Sequence, residues 1–162
     1  MGYNTEFFGE ITSNICFDNE TKKFIQGLSQ TRRMMRDPHL LSKRLGISYE
    51  KCIGLYGSQC QHYFGDRGFA GQIETNDITN YNKPPTSQPS LWCSWTVGDD
   101  NRSLVWNRSE KFYEYIDWMK YIVKELDSRG YNLNGEINWV GEESDDKGSI
   151  IVNNNRVESY FD

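Results

Sequence analysis

The chain has 162 residues, 36% of them apolar and 14% aromatic, with a net charge of −5. That length can bury a core, and many rings at roughly 150–250 Å² each make up for few aliphatics, which excludes a disordered chain. The charge is uneven: residues 1–80 carry nine basic and nine acidic side chains, residues 81–162 nine and fourteen. An acidic balance excludes general binding to a nucleic-acid backbone, which needs a basic face.

Four cysteines without C-x-x-C spacing and only two histidines, His39 and His62, argue against a zinc site. No apolar run approaches the roughly 18 residues of a membrane span, and no signal peptide is visible. The expectation is a cytoplasmic protein with reduced thiols, no membrane association and no cofactor.

In chain order, the aromatic and β-favouring run Tyr3–Ile11 predicts an opening strand. Asp18 caps a helix from about Glu20. Phe24, Leu28, Thr31 and Met35 at helical spacing extend it to Arg36, where Asp37-Pro38 ends it. His39–Leu45 predicts a short second helix closed by Gly46.

Five glycines between Gly54 and Gly71 predict a long loop, running on to about residue 80, with a short strand near Gln61–Phe64. Such a loop is either functional or a plain surface excursion. Tyr81–Pro89 is extended by its prolines, and Leu91–Val97 and Ser103–Asn107 form a hairpin about the turn Gly98–Asn101. Ser109 caps the main helix, Glu110–Ser128, whose apolar stripe runs through Phe112, Ile116, Met119, Val123 and Leu126.

Tyr131–Val140 alternates as a strand, Gly141–Gly148 is an acidic loop, and Ser149–Asn153 and Arg156–Phe161 pair about Asn154-Asn155. The sum is a single α+β domain over residues 1–162. It has an antiparallel sheet with the long helix on one face, and two shorter N-terminal helices.

The densest basic patch is Arg32, Arg33 and Arg36. On a helix, Arg32 and Arg36 share a face and form a bidentate site for phosphate or carboxylate. The alternative is a solvated helix end. Tyr81, Trp92 and Trp95 offer stacking surfaces for a flat ligand. Strand alternation puts Trp92 and Trp95 on opposite faces, so only one of them serves a ligand and the other is core.

The acidic loop has oxygen ligands for a cation but no EF-hand pattern, and no metal is expected there. Glu136, Glu142, Glu143 and Asp146 have nothing in sequence to fix an acid–base pair. Cys60-Gln61-His62 lacks an orienting third group for nucleophilic catalysis. No P-loop, GxSxG or dinucleotide fingerprint occurs.

Five stretches carry a resemblance: MGYNTEF, TRRMMRDP at Thr31–Pro38, YNKPPTSQPSLWCSW at Tyr81–Trp95, EKFYEYIDWMKYIV at Glu110–Val123 and LNGEINWVGEESDDKGSIIVNNNRV at Leu133–Val157. Together they resemble a family of small uncharacterised bacteriophage and bacterial proteins. The match is weakest over residues 46–80. The resemblance implies a phage-type origin and no particular chemistry.

For a phage protein of this size it implies a non-enzymatic role against host defence: a homo-oligomeric sponge for a nucleotide-derived immune signal. The contacts expected for that role are Tyr3, Asn4, Arg32, Arg33, Arg36, Tyr81, Asn82, Trp92 and Trp95. The alternatives are an acidic inhibitor of a host protein partner, and a nucleotide hydrolase using Glu136, Glu142 or Asp146.

Overall fold

The structure, a computed structural model, describes residues 2–65 and 68–162. Residues 66 and 67, inside the glycine-rich loop, lie outside the described residues. The fold is α+β, and the chain divides into two compact units. Residues 1–29 and 93–162 form a sheet unit; Gln30–Trp92 forms an arginine unit.

The sheet unit holds β1 (Thr5–Ser13), β4 (Trp95–Val97), β5 (Ser103–Trp106), β6 (Leu133–Gly141), β7 (Lys147–Asn153) and β8 (Arg156–Phe161). They form one antiparallel sheet in the order β4-β5-β1-β6-β7-β8. Alternation decides its faces. Phe7, Ile11, Ile137, Trp139, Ile150 and Val152 are buried, while their neighbours Glu6, Phe8, Glu10, Glu136 and Asn138 are exposed.

The long helix α4 (Tyr115–Ser128) buries Trp118, Met119, Ile122, Val123 and Leu126. Tyr115 at its start packs on Phe7 and Trp139 of the sheet, with centroids 5.0 and 5.5 Å away. The helix α1 (Asn19–Gln30) begins where expected: Asp18 accepts a hydrogen bond from the Thr21 amide at 2.8 Å.

Asn154 and Asn155 form the tight turn between β7 and β8 with φ of 48° and 66°. The Asn155 side chain locks that turn. It accepts from the Leu133 amide at 2.7 Å and donates to Asp127 and to the Tyr131 carbonyl.

Two expected boundaries move in this unit. The α4 helix starts at Tyr115, not Glu110, because Arg108, Lys111 and Glu114 adopt positive φ, which helix cannot hold. Phe112 is still core, packed on Phe7 and Trp95. The Leu91–Val97 strand shrinks to Trp95–Val97, because the Leu91 carbonyl instead accepts the Arg33 amide.

The arginine unit contains β2 (Met35–Arg36), α2 (Pro38–Leu45), α3 (Tyr49–Tyr56) and β3 (Ile78–Asn80), with β2 and β3 paired as a small second sheet. Asp37 caps α2, and Gly46 in the left-handed region closes it. α3 was not expected from the sequence. Ser48 caps it through the Lys51 amide at 3.1 Å, and Gly57 follows its end. Gly54 inside the helix hid the pattern.

The expected strand near Gln61–Phe64 is absent; Gln61 and His62 lie in a turn, and Tyr63 and Phe64 belong to no regular element. The larger correction concerns the first helix, which stops at Gln30. Residues 31–37 leave the helical path, with a bend at Thr31 and a strand at Met35–Arg36, so Arg32 and Arg36 do not share a helical face.

Candidate functional site

That extended segment is the spine of the arginine unit. Its amides donate to four different segments: Arg32 to Ala70, Arg33 to Leu91, Met35 to Lys83, and Arg36 to Gln59. A helix would have spent those donors on its own carbonyls. Strict alternation would put Arg32 and Arg36 on one side, but the pairing shifts register between Met35 and Arg36, and Arg36 turns inward with Arg33 while Arg32 stays partly exposed.

Arg33 goes inward and is 2% exposed. Its Nε donates to Gln88 at 3.2 Å, Nη1 to the Thr31 hydroxyl at 2.7 Å, and Nη2 to the carbonyls of Gln61 and Tyr63 at 2.8 and 3.1 Å. The Phe64 ring lies 4.8 Å from it. This guanidinium pins loops together and is out of reach of a ligand.

Arg36 is also buried. Its Nη1 meets Asp77 Oδ2 at 2.6 Å and the Thr75 hydroxyl at 3.3 Å. Arg44 joins from α2, donating through Nε to Asp77 Oδ1 at 2.7 Å. Burial alone would push the Asp77 carboxyl up; hydrogen bonds from Arg44, Thr75 and Arg36 overcome it and hold the pKa at about 2, against 3.8 ordinarily.

Arg32 goes outward and stays partly exposed. Its Nε donates to the Tyr81 carbonyl at 3.2 Å and its Nη2 to Asn82 Oδ1 at 3.1 Å. The guanidinium carbon sits 4.3 Å from the Tyr81 ring centre and 6.0 Å from that of Trp92. Tyr81 is itself fixed through its hydroxyl, which donates to Gln72 at 2.9 Å. Four residues chosen from sequence, Arg32, Tyr81, Asn82 and Trp92, therefore form one surface cluster inside the arginine unit.

The other chosen residues lie in the sheet unit and have structural work there. Trp95 is fully buried, with its indole N–H donating to the Tyr115 carbonyl at 2.9 Å and rings of Phe7 and Phe112 against it. It cannot meet a ligand and leaves the set. Tyr3 donates to Asp146 Oδ2 at 2.7 Å and accepts from the Glu143 amide. Asn4 gives its amide to Glu142 at 2.7 Å and accepts from that of Lys111. These two residues fasten the acidic loop.

Asp146 is further held by the Trp139 indole N–H at 3.2 Å. Its carboxylate and that of Glu142 are thereby hydrogen-bonded within the loop's own framework. Among the described residues no group of three or more His, Cys, Asp or Glu is placed to hold a metal ion. Burial pushes the Cys60 thiol up to about 12, so it stays protonated and is no nucleophile beside His62.

Asp77, Arg44 and Thr75 were not singled out in the sequence. Asp77 stands in an ordinary polar stretch, E-T-N-D-I-T, and carried no signal. No helix among the described residues is long and apolar enough to cross a membrane. No protein-family model, curated protein or solved structure matches the chain.

Proposed function

We propose that the chain is a non-enzymatic binding protein for an anionic, nucleotide-derived ligand, held at Arg32, Tyr81, Asn82 and Trp92. One observation carries this reading: Arg32 alone of the three clustered arginines remains at the surface, oriented by two acceptors and flanked by two rings. Its Nη1 has no partner among the described residues and is available to a phosphate oxygen. Tyr81 backs the cation closely. Trp92 stands at the outer limit of such a contact, which leaves its ring for a base. The resemblance to phage proteins supports the narrower role, sequestration of a host immune signal.

Calorimetric titration with cyclic and ADP-ribose-type nucleotides tests the site. Trp92→Ala is expected to cost about 1–3 kcal/mol of binding, the value of one base stack. Arg32→Ala is expected to cost about 1.5–3 kcal/mol, the value of hydrogen bonds to a charged group. Both variants binding every nucleotide as the parent does would remove this surface from the account.

A second reading, an inhibitor offering an acidic face to a basic protein, is favoured by one feature of the sheet unit. Glu10 of β1 and Glu136 of β6 are direct cross-strand partners, both exposed, and neither is in an ion pair among the described residues. Like charges directly opposite are destabilising, and a basic partner would relieve them. Complex formation through this face is expected to weaken steeply with salt and to be lost in the Glu10→Gln, Glu136→Gln double variant. A salt-indifferent complex that survives both substitutions contradicts it.

A further inference from the structure

We infer that the recess between Arg36 and Arg44 is a separate oxyanion site, which takes one oxygen of a phosphate or similar anion against two guanidinium edges. Charge makes the first point. The side chains of Arg36, Arg44 and Asp77 are 5%, 24% and 0% exposed. Asp77 is the only carboxylate within ion-pair distance of either arginine among the described residues. Among the described residues two cations share one anion, which leaves one net positive charge on a group whose Arg36 and Asp77 are buried and whose Arg44 is partly so. A buried charge without compensation is costly, and an entering anion removes that cost.

Geometry makes the second. Asp77 is committed on both oxygens: Oδ2 accepts from Arg36 Nη1 and from Arg44 Nη2, the latter at 3.4 Å, and Oδ1 from Arg44 Nε. Arg36 Nη2 and Arg44 Nη1 have no hydrogen-bond partner among the described residues. Tyr63 lies beside both guanidiniums, 5.1 and 5.8 Å from ring centre to carbon, and closes one side without adding charge.

Besides Tyr63, the recess is lined by Arg36, Arg44, Thr75, Gly65, Gly71 and the apolar Ile73, and its cavity is about 10 Å³. That is room for one water or one anion oxygen. Its glycine wall has no slack. A Cβ on Gly65 would stand 3.2 Å from the Gly71 carbonyl oxygen, and one on Gly71, whose φ is +65°, 2.9 Å from that of Gly65. The rest of the anion lies outward, in the mouth of the recess.

The site shares no residue with the nucleotide surface, and readouts at Arg44 report on it alone. The probe is inorganic phosphate, titrated at constant ionic strength against chloride. Phosphate is expected to bind the whole protein saturably, one per chain. Arg44→Gln, which keeps a side-chain donor for Asp77, is expected to weaken binding about tenfold or more, the scale of a hydrogen bond to a charged group.

A second measurement needs no variant. Phenylglyoxal modification of Arg44, mapped by mass spectrometry, should slow several-fold in phosphate. No saturable phosphate binding, an unprotected Arg44, or phosphate binding unchanged in Arg44→Gln would each overturn the assignment.

Discussion

Asp77→Ala is expected to destabilise the protein by about 3–5 kcal/mol, the usual cost of removing one partner from a buried ionic group. The substitution leaves Arg36 and Arg44 facing each other with no anion between them, Arg36 being only 5% exposed. Asp77→Asn keeps an acceptor and the volume and should cost less. Urea unfolding gives both values.

The same carboxylate gives the stability its acid limb. Its pKa in the fold is about 2 against an ordinary 3.8. A depressed carboxyl adds stability above the unfolded value and loses it as pH falls toward the folded one. About 2 kcal/mol should therefore disappear between pH 4 and pH 2. Asp77→Asn should be flat over that window by comparison. Parallel loss in parent and variant would mean that Asp77 is not the group responsible.

The second large effect belongs to Trp95. Trp95→Ala is expected to cost about 3–5 kcal/mol, because it removes a fully buried indole at the meeting of Phe7, Phe112 and the Tyr115 carbonyl. Trp92→Ala, at a half-exposed ring, should move the unfolding midpoint far less. The pair separates core from surface where sequence left both open. A Trp95→Ala protein with the parent's midpoint would contradict the packing described here.

The sheet unit was legible because its signals are local. Alternation in β6 through Leu133, Gly135, Ile137 and Trp139, the Asn154-Asn155 turn and the Asp18 cap each depend on a few adjacent residues. The stripe of α4 was equally plain, although Phe112 extended it one turn too far. That residue is buried for a different reason, its packing on Phe7 in a non-helical approach.

The arginine unit was less legible because distant segments set its structure. Thr31–Arg36 continues the apolar spacing of α1, and no glycine or proline interrupts it. What ends the helix is competition for its amides by the carbonyls of Gln59, Ala70, Lys83 and Leu91, all remote in sequence. The same remoteness hid Asp77, which is 33 residues from Arg44 and 41 from Arg36. Arg32, Tyr81, Asn82 and Trp92 came together even so, though as an extended segment against a loop and not as a helical face.

The arginine unit is proposed to hold a nucleotide-derived ligand at Arg32. The most direct test of that is a release assay. The purified protein is mixed with a panel of cyclic and ADP-ribose-type nucleotides, freed of unbound material, heat-denatured, and the supernatant read by mass spectrometry. One intact nucleotide is expected in near-stoichiometric amount from the parent and little from Arg32→Ala. No release, a cleaved product, or equal release from Arg32→Ala would contradict it.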